Sequence, residues 1–139
     1  FLILYMNLEI PFIPSSFQSI SWSIGPLNII YILITSHPYF STISKGQIKD
    51  LAKIIRRVIK RIKLHLGDVN YNMVLHTAPV NTSNRIDDIF HWHLELMPKL
   101  TKIAGFEWGT GYYINPVFPE DAAKMLREIE LDDEEDVLK

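Results

Sequence analysis

The residues whose types and spacing could do chemistry are three histidines and a carboxylate. His91-Trp92-His93-Leu94-Glu95 alternates polar and apolar side chains, and Tyr71-Asn72-Met73-Val74-Leu75-His76 ends on a further histidine fifteen residues earlier. Successive side chains on a strand point to opposite faces. A strand here would project His91, His93 and Glu95 together and turn Trp92, Leu94 and Leu96 the other way. Two imidazoles at that spacing can hold one divalent cation. A third ligand from a neighbouring strand would nearly complete a tetrahedral site, with zinc–nitrogen distances of about 2.0–2.1 Å. His76 is the natural third ligand if the two strands pair. The same pattern also fits a buried, hydrogen-bonded histidine pair, and spacing alone does not separate the two. The chain has no cysteine, so disulfides and thiolate sites are excluded, and a metal would need histidine, carboxylate or carbonyl ligands.

The elements that would position these residues can be read from pattern and punctuation. Ser44 and Gln47 form a capping-box pair. Ile48, Leu51, Ile54, Ile55, Val58, Ile59, Ile62 and Leu66 then recur at three- and four-residue spacing, which predicts a helix over 44–66 with one apolar stripe. Gly67 is its expected stop, and Lys60, Arg61 and Lys63 suit the negative end of its dipole. Tyr71–His76 and Ile89–Met97 read as strands separated by a polar loop over 81–88. Phe1–Ile13 and Asn28–Thr35, short apolar runs bounded by Pro and Ser, also read as strands. The glycine-punctuated stretch from Gly105 to Ile114 reads as a turn and a further strand. Pro119-Glu120-Asp121 opens a last helix, running to Glu130, with Ala122, Met125, Leu126 and Ile129 on its buried side. Met73, Met97, Met125 and Trp92 read as core, and the basic run from Lys49 to Lys63 as a solvated helix face. The expected fold is α+β: an antiparallel sheet covered by one long helix and closed by a C-terminal one.

Composition bounds the rest. The chain has 139 residues with 47% apolar and 22% charged content and a net charge of −2. That is one domain of ordinary globular make-up, with nothing global to attract nucleic acid or an acidic membrane. The average hides unevenness. Residues 1–43 hold a single acidic or basic side chain, Glu9, all fourteen Lys and Arg lie beyond residue 44, and seven of the sixteen acids fall between Glu128 and Asp136. The longest apolar run of the first part, Leu27–Ile34, is far short of the roughly 20 residues that span a bilayer, and no basic n-region marks a signal peptide. The expected location is the cytoplasm. Three regions follow: 1–43, a divergent apolar strand region; 44–131, a compact domain; and 132–139, an acidic tail expected to fray. The start at Phe1 and the uncharged first region together predict an incomplete protein. The Ile- and Ser-rich stretch from Ser15 to Tyr39 has the composition of a shifted reading frame in an AT-rich gene, and its exposed apolar surface would favour aggregation.

Longer strings carry a resemblance. Tyr71-Asn-Met-Val-Leu-His76-Thr-Ala-Pro79, then His91-Trp-His93 followed by Pro98, Leu100 and Thr101, resemble successive motifs of galactose-1-phosphate uridylyltransferases. Gly105-Phe-Glu-Trp-Gly-Thr-Gly-Tyr-Tyr-Ile-Asn-Pro116 and Pro119-Glu-Asp-Ala-Ala123 look like the C-terminus of the archaeal and thermophilic-bacterial versions. The resemblance runs from about Ile43 to Ile129, several motifs in order and spacing. It implies the C-terminal half of an enzyme of the histidine-triad superfamily, built from two related α+β halves.

The resemblance further implies that His76, His91 and His93 are ligands of a structural zinc or iron ion whose fourth ligand is a glutamate of the N-terminal half. The isolated chain would then bind metal weakly, unless Glu95 or water substitutes. Gly111 and Tyr112 match a segment that crosses a homodimer interface to recognise the substrate sugar. Where many members have Gly-Tyr-Glu, this chain has Gly111-Tyr112-Tyr113, leaving Asn115 or Glu107 to compensate. The family's reaction moves a uridylyl group from UDP-glucose to galactose 1-phosphate through a histidine of a His-Pro-His-Gly-Gln motif, a covalent route that splits one transfer into two easier steps. That motif is absent: the only His-Pro is His37-Pro38, followed by Tyr39. No catalytic residue is therefore assigned to this chain. The alternatives are a non-catalytic histidine-triad-like binding module or defunct fragment, and a related nucleotidyltransferase or phosphorylase acting on another sugar or nucleotide.

Overall fold

The computed structural model describes residues 17–22, 30–34, 38–80, 90–112, 114 and 117–131. The strand expected over Phe1–Ile13, the loop over 81–88 and the tail beyond Leu131 lie outside the described residues, as does most of the apolar first region.

The elements are β1 (Phe17–Trp22), β2 (Ile30–Ile34), α1 (Lys45–Leu66), β3 (Tyr71–His76), β4 (His93–Pro98), α2 (Gly105–Thr110) and α3 (Pro119–Glu128), with one 3-10 turn at Phe40–Thr42. The strands form one sheet in the order β1-β2-β4-β3, every neighbouring pair antiparallel. Because β2 and β3 both oppose β4, they run parallel to each other one strand apart. A parallel relation needs a long crossover, and α1 supplies it at about 33 Å. The result is the expected α+β arrangement of antiparallel sheet, long covering helix and C-terminal helix.

Helix α1 begins as its sequence requires. Ser44 Oγ accepts from the Gln47 amide at 3.2 Å, and Gln47 Oε1 accepts from the Ser44 amide at 2.9 Å. It ends at Gly67, whose φ of 74° lies where a side chain would be strained. Leu51, Ile54, Val58 and Ile62 on its inner face meet Trp92, Leu94 and Leu96 from the β4 region and Ala122, Ala123 and Leu126 from α3 in one core. Ile48 and Leu66, at the stripe's two ends, are exposed. Two backbone-directed ties fasten the segment before α1 to the end of β3. Phe40 N–H donates to Thr77 Oγ1 at 3.1 Å and Ala78 N–H to Pro38 O at 2.9 Å. Both lie within two residues of His76. Among the described residues no helix is long and apolar enough to cross a membrane.

Several expectations change. Strand β1 lies between the two expected apolar strands, where the sequence reading places only Pro and Ser breakers; the Ser19-Ile20-Ser21-Trp22 alternation carries a period-two signal that its serines conceal. The stretch from Gly105 opens as the short helix α2 instead of a turn and strand. Its Glu107 carboxylate accepts from the free Ala104 amide at 3.0 Å, and Gly111, at φ 71°, ends it. Met73 and Met125 are exposed, Met73 by 50%, and Met97 is half-buried on the face away from the helices, so none of the three is core. Met73 shares β4's helix-facing side through its pairing with Leu96, but β3 is the sheet edge, beyond the cover of α1. Within the basic run, Arg61 is only 9% exposed and departs from the solvated face.

Candidate metal centre

Strand β4 lies between β2 and β3, and its burial alternates as expected. Leu94, Leu96 and Pro98 are buried under the helices, while His93, Glu95 and Met97 stand half-buried on the other face. Ladders on both sides of β4 begin at His93, which faces Leu33 of β2 and His76 of β3. Cross-strand partners share a face, so His76 and His93 meet directly. Their rings stack at 15° with centroids 4.7 Å apart. Glu95, two residues along the same face, reaches both. Its Oε2 lies 3.2 Å from His76 Nε2 and its Oε1 3.9 Å from His93 Nε2. Ligand atoms of His76, His93 and Glu95 all fall within 4.8 Å of one another, the one such group among the described residues.

Two details decide what this group can do. His93 Nδ1 lies 3.1 Å from the carbonyl oxygen of His91. A carbonyl can only accept, so Nδ1 carries the hydrogen, and in the neutral ring Nε2 keeps its lone pair toward Glu95. His76 Nε2 is buried and, although 3.2 Å from the carboxylate, is not directed to make a hydrogen bond. Two imidazole nitrogens and a carboxylate thus converge with too few hydrogens between them. Such an arrangement attracts a cation, and two nitrogens with one oxygen form a donor set suited to zinc or iron.

The other site residues fall as follows. His91 lies just before β4 with an exposed side chain, outside the group of three. The strand had been expected from Ile89; it starts at His93 because neither ladder extends further back. Gly111 closes α2, and Tyr112 beyond it is exposed, its amide donating to Thr110 Oγ1 at 3.1 Å. Asn115 lies outside the described residues. Glu95 enters the cluster, the residue that alternation places with His93 and that could substitute for a missing fourth ligand. Trp108, Phe106 and Phe118 add exposed aromatic surface along the same C-terminal stretch, Trp108 by 80%.

Comparison with known proteins places this geometry. No family model matches the sequence. The chain is 38% identical over 103 residues to an ADP-glucose phosphorylase of Arabidopsis thaliana, a match covering 73% of the chain and 29% of that protein. It is 38% identical over 96 residues to a galactose-1-phosphate uridylyltransferase of Thermotoga maritima, covering 64% of the chain and 30% of that protein. The chain belongs to the galactose-1-phosphate uridylyltransferase family. It superposes on the crystal structure of an ADP-glucose phosphorylase from Arabidopsis thaliana with bound ADP-glucose at a TM-score of 0.69, over 74% of this chain and 34% of that one. The chain therefore spans about a third of the length of the uridylyltransferase-family proteins it matches. Within this family the His-His-Glu group is compatible with a metal site.

Proposed function

We propose that this chain acts as the C-terminal half of a UDP-glucose–hexose-1-phosphate uridylyltransferase, contributing a structural metal site, homodimer contacts and sugar recognition, with the nucleophilic histidine supplied elsewhere. One observation carries the reading. In a segment that belongs to the family, His76 and His93 oppose each other across β3 and β4, the strand pairing on which a shared site depends. The unbonded buried nitrogen of His76 is the observation that fits a metal there. His76 and His93 would hold zinc or iron, with His91 as the further ligand implied by the family motif. The ion would cross-link strand ends, a structural role. Tyr112, exposed just past the left-handed Gly111, would meet the substrate sugar with Asn115, from a second copy of the chain.

A second reading is favoured by the Arabidopsis relative, whose match covers more of the chain: a phosphorylase of the same family acting on ADP-glucose. The two readings differ in nucleobase and acceptor. The test is an assay of a complete protein joining this chain to a half that carries His-Pro-His-Gly-Gln. UDP-glucose with galactose 1-phosphate is expected to turn over faster than ADP-glucose with inorganic phosphate. The reverse order replaces the uridylyltransferase by the phosphorylase, and no turnover with either pair favours the non-catalytic module.

A further inference from the structure

We propose that the acidic segment 132–136 folds back onto α1 and sets a carboxylate of Asp132 or Asp133 against the buried guanidinium of Arg61. The segment expected to fray is thereby given a docking place. It lies on the helix side of the sheet, away from the candidate metal centre, and is independent of which sugar nucleotide a complete enzyme takes.

The guanidinium itself calls for an anion. Arg61 is 9% exposed, and its Nη1 is buried with no hydrogen-bond partner. Withdrawing a charged donor from water without giving it an acceptor is costly. A carboxylate answers both the charge and the missing acceptor, and its two oxygens match the guanidinium fork. Nε is already occupied by the Ile129 carbonyl at 3.3 Å, so the carboxylate has to meet the terminal nitrogens. Reach then decides which acids can do so. The bond to Ile129 holds that residue at the guanidinium, and Asp132 follows three residues later, at most about 10 Å of extended chain. Glu130, nearer in the chain, is exposed and does not satisfy Nη1. Glu128 pairs instead with Lys124, at 3.9 Å on the exposed side of α3.

Charge points the same way. Helix α1 carries eight Lys and Arg against one acid, Asp50, whereas residues 132–136 are five acids in succession. Arg57 stands one turn before Arg61 on the same helix face. Burial, and after it the Arg57 charge, lower the Arg61 pKa, and a carboxylate beside the guanidinium offsets that repulsion. Ordering the segment costs backbone entropy of the same order as the contact's gain. The contact therefore fixes where the segment lies more than how stable the chain is.

Backbone order parameters from nitrogen relaxation of the full chain provide the test. The amides of Asp132 and Asp133 are expected near the rigid value of about 0.85, against below about 0.6 for a flexible segment. Asp132→Asn together with Asp133→Asn leaves Arg61 and every core side chain in place, and should drop both amides into the flexible range. Arg61→Met keeps the aliphatic stem and should do the same, while the amides of residues 122–126 stay rigid. The double neutralisation decides whether or not Arg61→Met folds. Flexible values in the unaltered chain, or rigid ones that survive the double neutralisation, overturn the docking. Two other occupants have their own signatures. Order that rises with protein concentration as tumbling slows places the segment on a second copy. Inorganic phosphate that moves the Arg61 Nη resonances equally in the unaltered chain and the double variant makes the guanidinium an open anion site. Either result overturns the fold-back.

Discussion

Trp92 and His93 are adjacent in the chain and have opposite fates. Trp92 is 1% exposed and meets the Phe40 ring edge-on, with centroids 5.0 Å apart and planes at 84°. That contact ties the segment before α1 to the residue that leads into β4, so the tryptophan anchors the start of the strand on which His93 and Glu95 stand. Aromatic pairs of this geometry add about 0.5–1.5 kcal/mol beyond area burial. Trp92→Ala is expected to lower unfolding free energy by about 3–5 kcal/mol, the usual cost of emptying a buried aromatic site. Urea unfolding followed by circular dichroism measures it. A loss under about 1 kcal/mol would mean that Trp92 is not core. The methionines teach the opposite lesson. Met73 has the type of a core residue and sits half-exposed on an edge strand.

At the scale of elements, α1 is held by its caps and inner face, and α3 by what α1 offers it. Arg61 is buried between them. Its Nε donates to the Ile129 carbonyl at 3.3 Å, at the negative end of α3, while one terminal nitrogen is buried without a hydrogen bond. Burial first, and the neighbouring Arg57 charge second, push its pKa below the ordinary guanidinium value. The two effects of this residue nearly balance. A charge-assisted hydrogen bond contributes about 1.5–3 kcal/mol and an unsatisfied buried donor costs about 1–3 kcal/mol. Arg61→Met, which keeps the aliphatic stem, is therefore expected to stay within about 1 kcal/mol of the unaltered chain. Arg61→Ala, which also loses the stem's packing, should cost more. Equal losses in the two variants, measured by urea unfolding, would show that the charge and not the stem holds α3. At the other end of α1, Lys63 and Asp68 pair at 2.8 Å. Their hydrogen bond and charge raise the lysine pKa and lower that of the aspartate. Both are largely open to water, so the pair trims the turn into β3 without deciding the fold.

For the whole molecule, the division of labour matters more than any single contact. The chain matches 29% and 30% of the lengths of its two relatives, and its own sequence contains no His-Pro-His-Gly-Gln. Under the proposed function it positions and recognises while another part reacts. The purified chain is expected to take up no label from UDP-glucose radioactive at the α-phosphorus. Acid-labile labelling with no other protein present would show that a nucleophile has been overlooked. The four-stranded sheet with helices on one side leaves His93, Glu95 and Met97 half-buried on the other. That second face holds the candidate metal site.

Some of this was legible in the residues themselves, because it depends on near neighbours in the chain. The span and both ends of α1 follow from Ser44, Gln47, a 3.6-residue apolar repeat and Gly67. The burial of Trp92, Leu94 and Leu96 follows from period-two alternation, and the family from motifs in order. The choice between His91 and Glu95 as companions of His76 and His93 was not legible. Alternation treats residues 91, 93 and 95 alike, provided that the strand includes them all. Where β4 begins is decided by β2 and β3, distant in sequence, whose ladders both begin at His93. The fate of Arg61 is of the same kind. Its helix position looks solvated until α3, more than sixty residues later, folds its C-terminal end onto the guanidinium. Local pattern sets an element and its faces, but only packing between elements decides which side chains lose water and which polar atoms they then meet.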